Sequence, residues 1–542
     1  MRRLAVVLCA LLALPLLGIA GAWLAPQADS LELLRHQATT VLPGYALTSL
    51  LLTLGVAVGV GVLGGATAAA VSLFDFPGRR LFEWALLLPL AMPAYVLAYA
   101  MTDFLQYSGP LQTGLRELTG AEGALWPDVR SLPGAIVLFT LALYPYVYLL
   151  TRGALLERGL HLMEAARLLG AGLGRRVRSV ALPLARPALA AGVALALMET
   201  LADYGVGSYF GLGTFTTGIY KAWLSMDDRL AAAQLATVLL VVVGVLLWAE
   251  RRAQARLRYA SSRSGGGRGS EARAVQLSGR HAALAVALCA TPVLLGFVLP
   301  VAVLLHGVWR EASYGGVEGT GGLPWGRFAG WAWTSLKLAT LAALAAVALA
   351  LLIGFLLRTR SAGLIQPLAR LVSLGYAVPG AVIAVGLLLP LGWVQAAAPG
   401  SAAAGWAQLA VTGSIGGLLY AYLVRFSAVA LQSVEAGYAR IPASFDDTAR
   451  TLGAGSARLF FGVHAPLLTR AGLAAGLLVF VDVMKELPAT LVLRPFDSDT
   501  LAVVAYQLAR DERLAEAALP SLAIVVVGLL PVVMLSRAMR ER

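Results

Sequence analysis

Apolar residues fall in long unbroken stretches along this chain, separated by short charged segments. Twelve stretches approach or exceed the ~17–25 residues that cross a bilayer: 4–24, 46–74, 81–104, 134–151, 188–212, 232–250, 282–308, 334–357, 367–394, 406–432, 468–487 and 519–536. The fifth and eleventh contain charges. Between Ala253 and Arg280 the pattern changes to Ser261-Ser262-Arg263-Ser264-Gly265-Gly266-Gly267-Arg268-Gly269-Ser270, which reads as a flexible basic linker. It divides the chain into a first six-span half (1–252), a cytoplasmic linker (253–280) and a second six-span half (281–542).

The halves repeat. Thr48-Ser49-Leu50 matches Thr334-Ser335-Leu336, and Pro93 matches Pro379, both 286 residues on. Asp227-Asp228-Arg229-Leu230-Ala231 matches Asp511-Glu512-Arg513-Leu514-Ala515 at an offset of 284. An even number of spans per half points both halves the same way, a parallel repeat about an axis along the membrane normal. The expected fold is therefore an all-α integral membrane protein of two parallel six-helix repeats.

Composition agrees. Charged residues make up 13% and hydrophobic ones 59%, against about 25% charged in soluble domains. The net charge of +13 raises nucleic acid as a partner, but its distribution excludes that reading. Of the 42 Lys and Arg, 29 fall in alternate loops on one side and 10 on the other, the topology bias of a membrane protein. This places both termini in the cytoplasm. Ala20-Gly21-Ala22 offers a signal-peptidase-like site, but the run to Leu24 is long enough to span and has a counterpart after His281, so an uncleaved first span is expected. Cys9 and Cys289 sit in apolar runs and build no disulfide framework. The five histidines, His36, His161, His281, His306 and His464, show no ligand spacing. Pro93, Pro145 and Pro379 are expected to kink their helices, and Arg425 to snorkel or pair locally.

The most informative polar segments are two cytoplasmic loops, 152–187 and 433–467. Glu164-Ala165-Ala166-Arg167-Leu168-Leu169-Gly170 closes at Val180-Ala181-Leu182-Pro183, and Asp447-Thr448-Ala449-Arg450-Thr451-Leu452-Gly453 at Val463-His464-Ala465-Pro466, each position 283 later with no gap. In the first copy a helix to Leu169 is expected to stop at Gly170. A second is expected over about Leu173–Val180, ended by Leu182-Pro183 before the next span. Such a helix–turn–helix can transmit a push from a soluble partner. Alternatively it rests on headgroups through Arg175, Arg176 and Arg178; two gap-free copies favour docking.

Glu-Ala-Ala, three residues, Gly, nine residues, an aliphatic residue, one residue and Leu-Pro resembles the cytoplasmic signature of permease subunits of ABC importers. Glu164, Ala165, Ala166 and Gly170 match it throughout. Around Asp447, Ala449 and Gly453 the match is looser, because Asp447-Thr448 replaces Glu-Ala and Ala465 replaces Leu. The resemblance implies a type I ABC importer architecture, docking on an ATPase dimer that carries the ATP and Mg, and a periplasmic substrate-binding protein. No Gly-x-x-x-x-Gly-Lys-Ser/Thr occurs in this chain, so no enzymatic activity of its own is expected.

Met198-Glu199-Thr200-Leu201-Ala202-Asp203-Tyr204-Gly205 with Tyr209-Phe210-Gly211, and Asp482-Val483-Met484-Lys485-Glu486-Leu487-Pro488 with Leu493-Arg494-Pro495-Phe496, resemble the fused two-half permeases of bacterial ferric-iron importers. Thiamine and phosphonate permeases of the fused type look similar. Glu199 and Asp203, four apart, are expected on one helix face, and align with Asp482 and Glu486. Charged residues in a span face a cavity or a partner, so these four are either pathway carboxylates compatible with a hard cation, or structural and gating charges with Lys485 neutralising one. Tyr204 and Tyr209 are either interfacial aromatics or added phenolic oxygens. A proton-coupled secondary transporter with Glu199, Asp203 and Glu486 as a relay remains the rival from another class.

Overall fold

Hydrocarbon supplies no hydrogen-bond partner, so each apolar stretch must pair its backbone within itself, and the computed structural model is accordingly helical. It describes residues 2–23, 30–262, 274–314, 322–359, 365–402, 405 and 414–540. Among them the only strands are Phe74–Asp75 and Val275–Gln276, paired in parallel. The Gly-Ser stretch of the linker and the start of the 406–432 span lie outside the described residues.

Among the described residues, nine helices are long and apolar enough to span, or eleven if two bent pairs each count as one. The first helix, Arg2–Gly21, stands outside these eleven, with Val6–Gly21 as a shorter apolar helix. The bent pairs are Arg79–Ala91 with Ala94–Thr119, at 93°, and Ser456–Leu467 with Thr469–Met484, at 71°.

Pro93 and Pro379 do more than kink. Each is the extended N-cap of a new helix, at φ −59°, ψ 142° and φ −57°, ψ 141°, after a short 3₁₀ turn. Proline lacks the N–H that a continuing helix would need. Pro145 instead lies inside the continuous helix Leu132–Leu168. The fifth expected span also shifts: its helix runs Leu182–Ala202 and breaks at Asp203 rather than continuing to 212.

The chain forms two compact units. One comprises Met1–Leu42, Gly218–Leu240 and Pro324–Val504, the other Pro43–Thr217, Val241–Leu323 and Ala505–Arg542. Sequence halves and compact units are thus different partitions, since each unit draws on both halves. In the first unit, Arg2–Gly21 packs on Gly380–Ala397, and Trp325–Thr359 packs on Ile415–Tyr438 and Thr469–Met484. In the second, Leu132–Leu168 packs on Leu182–Ala202, and Leu299–Tyr314 on Leu514–Arg540 and Ala94–Leu105.

One hydrogen bond recurs at the repeat offset. Ser49 Oγ accepts the Phe215 N–H at 3.2 Å in the second unit, and Ser335 Oγ accepts the Leu501 N–H at 2.8 Å in the first. Each serine caps a helix 166 residues further on, satisfying a donor that the helix itself cannot.

Small residues let membrane helices approach closely. A Cβ on Gly18 would stand 2.5 Å from the Gly386 carbonyl oxygen, and one on Gly386 would overlap the Pro15 carbonyl. Gly386→Val is expected to destabilise the first unit by ~1–3 kcal/mol through overpacking. Gly244→Ala, where the added Cβ meets nothing within 4 Å, is the control. Thermal unfolding in detergent reads both, and equal melting temperatures would contradict this packing.

Candidate docking loops and pathway carboxylates

The two loops are built alike. Leu132–Leu168 ends at Leu169, and Gly170 takes the left-handed conformation at φ +81°. The Gly170 N–H donates to Arg167 O at 2.9 Å and the Ala171 N–H to Ala166 O at 3.0 Å. Ser444–Thr451 ends at Leu452, and Gly453 also sits at φ +81°. Its N–H donates to Arg450 O at 2.9 Å, and that of Ala454 to Ala449 O at 2.9 Å. These are paired Schellman stops, in which glycine avoids the penalty a Cβ would incur.

Beyond the stop, Gly172 and Gly455 are extended N-caps of short helices, Leu173–Arg176 and Ser456–Leu459. A wide π turn follows in each, Val177–Ala181 and Phe460–His464. The expected end of the helix at Leu182-Pro183 is not observed. The Leu182 N–H reaches back to Val177 O, and Pro183 falls in the first turn of Leu182–Ala202, where its missing N–H is harmless. In the second loop Pro466 is followed by the bend at Leu468.

The family-type positions face outward in both copies. Glu164, Ala165 and Gly170 are exposed and Ala166 is half-buried; Asp447, Thr448 and Gly453 are exposed and Ala449 is half-buried. Leu168 and Leu169 are 84% and 88% exposed, and Leu452 is 79% exposed. Apolar side chains this bare at a helix end are surfaces in want of a partner. Of the arginines considered for headgroup contact, Arg176 is buried while Arg175 and Arg178 are exposed.

The second loop is also tied inward. Asp446 accepts from Arg358 Nε at 2.9 Å and pairs with His464 Nε2 at 2.9 Å. Burial pushes the Asp446 carboxyl up, but the hydrogen bonds from Arg358 and His464 outweigh it and hold the carboxyl below its usual range.

Of the four carboxylates, Glu199 lies within Leu182–Ala202, but Asp203 has left the helix, with φ −72° and ψ 134°. The expected shared helix face is therefore not formed. Asp203 Oδ1 instead accepts the Val206 N–H at 2.8 Å, capping the short helix Gly205–Tyr209. Glu486 occupies the same place in the other repeat, past the end of Thr469–Met484. It accepts the Ala489 and Thr490 N–H groups at 2.9 and 3.0 Å, capping Pro488–Leu493. Both carboxylates are drawn out of the helical register because a new helix start needs acceptors there.

Lys485 pairs with Asp482 at 2.9 Å. The cation on Glu486 is Arg425, at 3.1 Å and nearly buried, which sequence reasoning left as a local pair without a partner. Glu199 and Asp203 belong to the second unit, Asp482 and Glu486 to the first. In neither unit, among the described residues, do three or more His, Cys, Asp or Glu side chains gather closely enough to hold a metal ion.

Tyr204 and Tyr209 are not interfacial. Both are buried in a tyrosine cluster of the second unit. The Tyr506 hydroxyl lies 3.4 Å from that of Tyr204 and 2.8 Å from Ser208 Oγ. The Tyr209 ring meets Tyr99 edge-on at 4.8 Å and receives Arg130, itself paired with Glu512 at 3.0 Å. The Tyr99 hydroxyl is buried with no hydrogen-bond partner among the described residues. Beyond Tyr204 and Tyr209 themselves, Asp511-Glu512-Arg513, repeated in sequence, hinted at part of this cluster.

Comparison with known proteins fits this geometry. Residues 61–259, which include the first loop, match the family of binding-protein-dependent transport system inner membrane components. The matched segment is that of an ABC-type permease subunit, and the apolar helices are those of a multi-pass protein of the inner membrane. The chain is 25% identical over 493 residues to a Fe(3+)-transport system permease protein of Haemophilus influenzae, covering 90% of this chain and 88% of that one. It is 28% identical over 201 residues to a sulfate transport system permease protein of Salmonella typhimurium, 36% of this chain and 70% of the relative. Against a molybdenum transport system permease protein of Escherichia coli it is 31% identical over 130 residues, 24% and 55% of the two chains.

Two predictions follow from the ion pairs. Glu486→Gln leaves Arg425 buried without its counter-charge and is expected to cost ~3–5 kcal/mol. Adding Arg425→Leu should recover part of that loss in a thermal melt; additive losses would contradict the pairing. For Asp446, a lowered native pKa means stabilisation that is present above the unfolded value of about 3.9 and lost as pH falls through the native value. Amide-exchange protection over 444–451 should therefore hold between about pH 5 and 8 and drop in an acid step below about pH 4. Asp446→Asn should lack that step.

Proposed function

We propose that this chain is the permease through which ferric iron passes from a periplasmic binding protein to the cytoplasm. The observation that supports it is the reach of the similarity. The relative named for Fe(3+) transport aligns across both halves, whereas those named for sulfate, 2-aminoethylphosphonate and molybdenum align over at most 37% of this chain. Glu199, Asp203, Asp482 and Glu486 are proposed as polar positions of the pathway, Asp203 and Glu486 shaping it as helix caps; oxygen donors suit a hard cation in transit. A pathway must hold its substrate weakly, since conduction needs release.

Both termini and both loops face the cytoplasm in this reading, as the arginine bias indicates. The loops dock on two copies of an ATPase subunit that bind the ATP and Mg. Closure of that dimer draws the docks together and opens the permease outward to the loaded binding protein; hydrolysis returns it. The permease itself catalyses no chemistry, so its work is alternating access driven by differential affinity for two states.

Reconstituted vesicles holding permease, ATPase and binding protein test this. Iron(III) uptake should require ATP, persist when the proton gradient is collapsed, and exceed uptake of sulfate, molybdate and 2-aminoethylphosphonate. Preferential uptake of any of these oxyanions would reassign the substrate. Uptake driven by a proton gradient without ATP would overturn the ABC mechanism. Gly170→Val, which forces a β-branched residue to φ +81°, should leave the protein in the membrane but uncouple hydrolysis from uptake.

A further inference from the structure

The two docks share their outer geometry but not their seats. Positions 283 residues apart are buried beneath each, and their chemistry differs. Under the first dock lie Leu155, Met163 and Ala181, packed with Leu73 and Ala185 in one apolar cluster. At the same offsets under the second lie Tyr438, Asp446 and His464, all buried, with His464 fully so. They form a chain: the Tyr438 hydroxyl pairs with His464 Nδ1 at 3.2 Å, and His464 Nε2 with Asp446 at 2.9 Å.

Arg358 closes this network from the last turn of Trp325–Thr359. Its Nε donates to Asp446 Oδ2 at 2.9 Å, Nη1 to the Tyr438 carbonyl at 3.2 Å, and Nη2 to the Pro442 carbonyl at 3.0 Å. One side chain thus joins three elements: the membrane helix that carries it, the C-terminus of Ile415–Tyr438, and the dock helix Ser444–Thr451. Phe355, one turn back on the same helix, packs on the His464 and Phe460 rings at 5.3 and 5.2 Å.

The seats differ mechanically. Apolar packing is non-directional and tolerates a small slide. A guanidinium held in three directions and a buried carboxylate do not, because separating them strands a charge away from water. A push on the second dock is therefore handed to Trp325–Thr359 as a rigid displacement.

We propose that Arg358 is a positioning residue for energy coupling, latching the second dock to a membrane-spanning helix while the first dock rides on an apolar seat, so that the two docks transmit the ATPase stroke unequally. This rests on reading the loops as ATPase docks.

The test uses the full complex in proteoliposomes. It measures ATP hydrolysed per substrate imported, with whichever of iron(III), sulfate, molybdate or 2-aminoethylphosphonate the uptake comparison selects. Arg358→Gln should raise that ratio about tenfold while the hydrolysis rate changes less than about twofold. Asp446→Asn should do the same, and the double variant should go no further than either single one. Gly244→Ala, outside both loops and with nothing within 4 Å of the added Cβ, should leave the ratio unchanged. Should Arg358→Gln fail to accumulate, Arg358→Lys, which keeps the charge but loses the three-way fork, should raise the ratio about threefold. An unchanged ratio in the Arg358 variants, with a raised ratio in Gly453→Val, overturns the latch alone. Parallel loss of hydrolysis and uptake in the Arg358 variants overturns it too, marking a structural role. An unchanged ratio in both Gly170→Val and Gly453→Val sinks the docking assignment beneath it.

Discussion

A helix interrupted in or beside a membrane frees backbone N–H and C=O groups that lipid cannot satisfy, and much of what is specific in this chain answers that constraint. Where Leu182–Ala202 and Thr469–Met484 end, Asp203 and Glu486 supply acceptors to the next helix start. Where the two loops turn, Gly170 and Gly453 take left-handed backbone so that their N–H groups reach carbonyls of the helices they close. Where Phe215–Tyr220 and Leu501–Arg510 begin, Ser49 and Ser335 each accept an N–H. Charged and glycine positions that look like punctuation in the sequence are the partners that let the helices break without loss.

That constraint also recasts the carboxylates. A glutamate with two backbone donors, a hydroxyl and an arginine around it is committed to structure before it meets any substrate. Asp203 accepts the Val206 N–H, and position 142, which corresponds to Arg425, is alanine. The repeats are therefore unequal here as well as beneath the two loops: Glu486 has a guanidinium from the helix where the first repeat has alanine. Inequality of this kind is open to a fused chain, since each half can be tuned separately.

Much of this was legible in the sequence, and the misses have physical causes. Apolar runs located the helices because their length alone decides spanning. The stop at Gly170 was legible because only glycine occupies that conformation cheaply. The gap-free offset of 283 implied identical local geometry, which both Schellman stops and both π turns show. The shared face of Glu199 and Asp203 was misjudged because spacing of four means one face only while the helix lasts, and a capping aspartate marks where it ends. Lys485 neutralises one of the four carboxylates, as its place in the sequence suggested, and that one is Asp482, a turn away. The counter-ion of Glu486, Arg425, comes from another helix that periodicity could not bring near. His464 carried no ligand spacing, yet it is the buried centre of the second seat.

The central claim is that one chain presents two docks, alike outside and unlike beneath, to a pair of ATPase subunits. Native mass spectrometry of the purified complex counts those subunits directly. The account predicts two ATPase copies for each permease chain. A complex with one ATPase copy per chain, or a permease that carries none, would contradict it.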